Sequence, residues 1–298
     1  ETLIKNELNK YETKNLLINI EHAEQVITMD DKPSLVGKAK PNSSIHVGMN
    51  LVKNGDGDAF ITAGNTGAAH AIAMLYTLKR IRQVKRPALS SIFRFHGHPI
   101  IFLDIGANTD SKPEWLLQFA MMGGVYAEKV LGRENPRIAL LSNGEEENKG
   151  SQLILQTAEL LKQAPMRYVG NIEPSDIAEA QVDVVVSDGF VGNILLKTFE
   201  ASTRYLTSLI RNEIEASVIA SLGGLLIRPA MKRVRREIDT YEIGGAPLLG
   251  VNGVVIISHG GSNATAIKNG IHQAAQAVEG DVINTIRSGM ENLHIPQE

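Results

Sequence analysis

The stretch VDVVVSDGFVGNILLKT (182–198) decides how the chain is read. VDVVV is almost continuously apolar, the pattern of a strand covered on both faces. It stops at Ser-Asp-Gly, turns through Gly192 and Asn193, and enters a segment in which Leu195, Phe199, Leu206 and Ile210 fall on one helical face. A buried strand that feeds directly into an amphipathic helix is the repeating unit of an α/β sheet, which predicts more such units along the sequence.

They recur. Strand-like runs lie at 16–23, 59–64, 87–95, 99–106, 137–143, 167–172, 182–188 and 253–259. Helical spacing lies between several of them. Ile154, Ala158 and Leu161 share one face, and Ala264, Ile267, Ile271, Ala274 and Val278 share another. The pattern predicts an α/β fold with a doubly wound, mostly parallel sheet, in a single domain over 1–298 with no linker or internal repeat. The exception is a helical arm, about 200–245, with no strand inside it. Within the arm, ASVIASLGGLLIRPAMKRVRRE (216–237) passes from apolar to basic. Gly223, Gly224 and Pro229 suggest two helices joined by an apolar elbow.

Composition narrows the function. The chain has 298 residues, 43% of them hydrophobic, a net charge of −3 and no cysteine. This is enough chain for a large core. The near balance of charge gives no sign of a nucleic-acid partner. The missing cysteine excludes a disulfide, a thiolate metal ligand and a thiol nucleophile, and it fits a reducing cytosol. There is no apolar run long enough to cross a membrane, and no signal-peptide pattern.

In a parallel sheet the carboxyl ends of the strands share one edge, where ligands bind. Five such ends are rich in Gly, Asn, Asp, Ser and Thr: TAGNTGA (62–68), DIGANTD (104–110), LSNGEEENKG (141–150), SDGFVGN (187–193) and SHGGSN (258–263). Each leads towards a helix, whose first N–H groups and partial positive charge favour an anion such as phosphate. Any single turn of this kind is ordinary capping chemistry; five together point to a phosphate-bearing ligand. The binding candidates are Gly64, Asn65, Thr66, Gly67, Asn108, Asn143, Ser187, Asp188, Gly189 and Gly192. Lys149 can neutralise charge or pair with Glu145 or Glu146. Asn193 can orient a reacting group or cap a helix. His259, at the end of an apolar strand, is an acid/base candidate or a satisfied core histidine, and Lys197 reads as a solvated or paired lysine. His96 and His98 form half a metal site with no third ligand nearby in sequence, so neither a metal nor a cofactor is expected.

TAGNTGA, DIGAN, NGEEENKG, SDGFVGNILLKT, GGAPLLGVNG and SHGGSN, in this order, resemble the bacterial phosphate acyltransferases of phospholipid synthesis over about 1–285. The resemblance extends more remotely to phosphotransacetylases and the isocitrate/isopropylmalate dehydrogenase-like fold. It implies transfer of an acyl group from acyl-acyl carrier protein to inorganic phosphate, a homodimer, and a cytoplasmic protein peripherally attached to membrane. It also implies an opening strand ending in an Asp-x-Met-Gly-Gly-Asp turn, which this sequence does not contain. Such a reaction suits a site without a triad. Thiolate leaves readily, and phosphate is already anionic, so positioning (roughly 7–11 kcal/mol) and oxyanion donors (roughly 3–4 kcal/mol each) supply the catalysis. On this reading Lys149, Asn193 and His259 are the catalytic candidates. The leucines of 216–237, with Arg228, Lys232, Arg233, Arg235 and Arg236, meet an anionic membrane, the dimer partner or the acidic carrier protein. Two alternatives stay open: a phosphotransacetylase using acyl-CoA, and a non-catalytic membrane-associated scaffold.

Overall fold

The computed structural model describes residues 2–13, 16–238 and 244–293, without the side chains of 235–238. Three helices come first, α1 (Thr2–Leu8), α2 (Pro33–Ala39) and α3 (Ser44–Asn54), then β1 (Ala59–Thr62) and α4 (Thr66–Leu75). A hairpin of β2 (Ala88–Phe95) and β3 (His98–Leu103) precedes α5 (Pro113–Lys129), β4 (Ile138–Leu141), α6 (Gln152–Gln163), β5 (Tyr168–Ile172) and α7 (Pro174–Ala178). β6 (Val184–Val186) leads into α8 (Gly189–Glu215) and α9 (Val218–Ile238). The chain closes with β7 (Ala246–Leu249), β8 (Val254–Ile257), α10 (Ala264–Glu279) and α11 (Val282–Asn292).

The strands form one sheet in the order β1-β8-β7-β2-β3-β6-β4-β5. Residues alternate between its faces. Ile101 and Leu103 join the core under α5, α6, α10 and α11. Ile100 and Phe102 join the core under α2, α3, α4 and α8. Helices therefore cover both faces, as the continuous apolar runs required.

The strands do not all run one way. β1 and β8 are parallel, and β3, β6, β4 and β5 are parallel, but β8–β7, β7–β2 and β2–β3 are antiparallel. Three reversals between the two parallel groups leave them pointing in opposite senses. The expectation that all five glycine-rich turns share one edge is therefore corrected. Register brings the two sets of carboxyl ends together instead. Ile257 lies opposite Ala246, Leu248 opposite Leu89, and Leu103 opposite Ser90, so β8 and β3 end within about one residue step of each other across β7 and β2.

Three local features explain the reversals and the differences from the sequence reading. His96 and Gly97 both take positive φ, 53° and 76°, the conformation of a two-residue hairpin turn, so 87–106 folds back on itself without a crossover helix. β7 escapes a pattern search because Gly-Gly-Ala-Pro reads as a turn, yet Pro247 pairs with Ile256 and its carbonyl accepts from Ser90 Oγ at 2.9 Å. Residues 16–23, expected as a strand, have no ladder partner among the described residues, and Leu16, Leu17 and Ile18 are exposed.

Two helices also differ. In α10 the buried face is Ala266, Gly270, Gln273, Ala274 and Ala277, while Ile271 and Val278 are exposed. Small residues let the helix approach closely: a side chain at Gly244 would meet Gly270 N at 2.4 Å. In the arm the break falls at 216–217 and not at the glycines or Pro229, which lie inside α9. Ser217 makes the turn, its hydroxyl accepting from Ala220 N at 3.1 Å while Ser221 Oγ donates to Ile214 O.

Candidate active site

A cleft of about 600 Å³ opens where the two sets of carboxyl ends meet. Thr66, Gly67 and His70 of α4 line one wall, with Ser258, His259 and Ser262 after β8. Ile105, Gly106 and Ala107 after β3, with Asn193, Leu196, Lys197 and Glu200 of α8, line the other. Gly244, Gly245 and Ala246 at the start of β7 complete it.

SDGFVGN does not present a vacant anion site. Asp188 caps α8, its Oδ1 accepting from Phe190 N (2.9 Å) and Val191 N (3.0 Å). Gly189 N donates to Asn108 O and Gly192 N to Asp188 O, so the first N–H groups of this helix are all taken. The glycines serve close approach: a Cβ on Gly189 would lie 2.7 Å from Asn108 O, and one on Gly192 only 1.9 Å from Asp104 O. Ser187 is buried, its Oγ donating to Asp104 O.

The residue that organises this turn is Asp104, which the motif reading passed over. Its carboxylate accepts from Leu89 N (3.2 Å), Gly106 N (3.1 Å), Ala107 N (3.0 Å), Asn108 N (2.6 Å) and Asn108 Nδ2 (2.9 Å). Burial pushes its carboxyl above the usual range, and these donors pull in the opposite direction. Asn108 spends its amide on Asp104 and on Pro87 O at 2.8 Å. Both are framework for the cleft wall at 105–107. Against that wall stands Asn193, whose Cγ is 3.6 Å from where a Cβ on Gly106 would be; Gly106, at φ 141°, gives it room.

Asn65 is likewise framework. Its Oδ1 caps Ala68 N at 3.0 Å and its Nδ2 faces the carbonyls of Thr28 (3.1 Å), Met29 (3.3 Å) and Asp31 (3.2 Å). That holds the 28–31 segment beside the start of α4, with Lys40 Nζ on Asp31 Oδ2 at 2.6 Å. Asn65 O takes Ala69 N, whereas no acceptor among the described residues takes the N–H of Thr66 or Gly67. Two helix-start donors therefore remain on the cleft wall. Gly64 N donates to Thr62 Oγ1 and does not line the cleft.

Lys149 and Asn143 are exposed on the loop after β4, outside the cleft lining. The surroundings of Lys149 are acidic. Asp176, Glu173 and Glu146 raise the pKa of Glu145, the hydrogen bond that its protonated carboxyl donates to Asp176 most of all. Lys197 instead lines the cleft, one turn from Asn193, and makes no ion pair among the described residues. His259 stands at the rim; Gly261 N–H donates to its Nδ1 at 3.0 Å, which leaves the proton of the neutral ring on Nε2. His70, which no motif singled out, has a buried Nε2 without a partner among the described residues, and burial and then Arg86 hold its pKa below the usual imidazole value. His98 is engaged with Asp183 at 2.9 Å. Among the described residues no group of three or more His, Asp or Glu is placed to hold a metal.

Helix-start N–H groups, an amide and a lysine line one cleft of an α/β fold, an arrangement able to receive an oxyanion. The comparisons with known proteins make this specific. The profile of the fatty acid synthesis protein family matches residues 1–285, and the chain belongs to that family. It is 46% identical over 284 residues to a phosphate acyltransferase of Desulforudis audaxviator, covering 95% of this chain and 84% of that one. It is 45% identical over 285 residues to a phosphate acyltransferase of Geobacter sulfurreducens, with 96% and 82% covered. The chain is thus an acyltransferase that acts with phosphate. In fold it is similar to a phosphotransacetylase from Streptococcus pyogenes (TM-score 0.53, 19% identity, 78% of this chain and 67% of that one). It is also similar to the EutD phosphotransacetylase from Staphylococcus aureus (TM-score 0.52, 15% identity, 84% and 71%).

Proposed function

We propose that the chain moves a fatty acyl group from the phosphopantetheine thioester of acyl-acyl carrier protein to inorganic phosphate, giving acyl phosphate for phosphatidic acid synthesis. The observation that carries the site is the pairing across the cleft of two unspent α4 N–H groups with Asn193 and Lys197. A phosphate oxygen attacks the thioester carbon, the carbonyl electrons move to oxygen, and collapse breaks the C–S bond so that thiolate departs with the pair. Thr66 and Gly67 N–H hold phosphate, Lys197 offsets the growing charge, and the Asn193 amide donates to the carbonyl oxygen. Lys197 takes the role first considered for Lys149, because a phosphate at the acidic β4 loop would be repelled. His259 lies where it can meet the leaving thiolate. The same reading assigns the sheet to the isocitrate/isopropylmalate dehydrogenase-like class and expects a homodimer.

The test is phosphate-dependent thiol release from acyl-acyl carrier protein and from acyl-CoA. Lys197→Ala should lower kcat/KM about 100-fold, and Lys149→Ala should stay within about threefold. Loss of activity in the Lys149 variant alone would move the site to the β4 loop. Preference for short acyl-CoA would favour the phosphotransacetylase reading, and no release from either donor would favour the scaffold.

The arm fits delivery to a membrane surface. Leu222, Leu225, Leu226 and Ile227 are exposed beside Arg228, Lys232 and Arg233; the side chains of Arg235 and Arg236 lie outside the described residues. No helix among the described residues is long and apolar enough to cross a membrane. The double variant Leu225→Glu, Leu226→Glu should lose co-sedimentation with anionic liposomes; retained binding means that these leucines serve another contact.

A further inference from the structure

A second cavity of about 280 Å³ lies directly behind the α8 wall of the cleft. Ile105 and Leu196 line both cavities and form the wall between them. The chemistry changes completely across it. Where the cleft carries amide, imidazole and lysine, no charged residue among those described lines the second cavity. Its walls are Phe93 and Phe95 of β2, Phe102 of β3, Ile177 of α7, and Leu195 and Phe199 of α8. Four of the seven phenylalanines of the chain gather here. Phe93 stands edge-on to Phe102 at 4.9 Å and to Phe199 at 5.2 Å, and Phe95 edge-on to Phe199 at 5.9 Å. Interiors ordinarily fill such space with side chains. An open, uncharged aromatic slot that shares the Ile105–Leu196 wall with a polar cleft suits a ligand with an aliphatic tail and an anionic or carbonyl head.

We propose that this cavity binds the alkyl chain of the acyl substrate, with the reacting carbonyl held between Ile105 and Leu196. This deepens the acyl-transfer reading and rests on it. An apolar cavity of about 150 Å³ admits benzene, so this one accommodates roughly ten carbons. Longer chains leave past Thr198 and Ser202, which line its exposed rim, towards the apolar face of α8 at Leu206. The arrangement makes the enzyme selective for long acyl groups: each methylene buried strengthens binding about fourfold until the slot is full.

Alkyl phosphates of four, eight and twelve carbons, below their micelle concentrations, serve as stable probes in calorimetry with the full chain. Affinity should rise at least tenfold from butyl to octyl phosphate. Ala178→Trp and Ser202→Trp place a ring at exposed positions on the rim, where folding is spared. Each should remove at least tenfold of the dodecyl phosphate affinity and leave butyl phosphate unchanged. The proposal fails if affinity does not depend on chain length, if both tryptophan variants keep the chain-length dependence, or if only Leu225→Glu, Leu226→Glu abolishes it. Chain-dependent binding sensitive to the tryptophans, in a protein that releases no thiol from any acyl donor, upholds the alkyl site and overturns the acyl-transfer reading instead.

Discussion

Replacing Asp104 with alanine removes the carboxylate that five donor groups share. Two of them, the N–H groups of Gly106 and Ala107, lie on residues open enough to turn to water. The other three, Leu89 N, Asn108 N and Asn108 Nδ2, belong to buried residues. Asn108 Nδ2 keeps Pro87 O, so two buried N–H groups lose every acceptor; at about 1–3 kcal/mol each, the gross loss is about 2–6 kcal/mol. Relief from burying the carboxylate offsets part of that, leaving about 2–4 kcal/mol. The melting temperature should fall by about 10 °C, at roughly 2–4 °C per kcal/mol for a chain of this size. Asp104→Asn keeps the shape but sets an amide N–H₂ against one group of donors, and should cost about half as much. Activity should fall beyond what the loss of folded protein explains, because the loop that Asp104 holds also positions Gly106 against Asn193 and supports Gly189 through Asn108 O. Thermal and urea denaturation, with kcat and KM for phosphate on folded material, decide the matter. A melting shift below about 2 °C in the alanine variant would refute the view that this carboxylate organises the cleft wall.

The glycines give a contrast within one chain. Gly192→Ala drives a methyl into Asp104 O, a backbone atom that cannot step aside, and should cost about 3 kcal/mol or more in urea unfolding. Gly223→Ala meets nothing and should be neutral or stabilising by up to about 1 kcal/mol. Asp183 tests the pH dependence. Burial alone would raise its carboxyl, but Arg137, through side chain and backbone, and His98 outweigh that and hold it below 3.8. Its folded pKa is depressed, so its contribution is present above about pH 4 and is lost as pH falls through the folded value. The stability difference between wild type and Asp183→Asn should therefore shrink as pH falls below about 4; no change in acid would mean that the ion pair contributes nothing.

The sequence by itself determined the layered α/β architecture and most of the strands, because apolar runs and helical spacing are local records of burial. It marked the chemically rich turns for the same reason: glycine, asparagine and capping residues announce helix starts wherever they occur. It did not determine which turns share a ligand. That depends on strand direction, set by a hairpin at His96–Gly97 and by Pro247 in a strand that reads as a turn, both settled by pairing partners distant in the chain. Nor could it tell a spent N–H from a free one. Asn65, Asn108 and Asp188 look alike as polar turn residues; only the folded contacts show their polar atoms consumed by Thr28, Pro87 and the first turn of α8. Lys149 and Lys197 are equally charged on paper. Tertiary structure set one among carboxylates and the other in the cleft, because the neighbours that decide a charge's surroundings arrive from other strands.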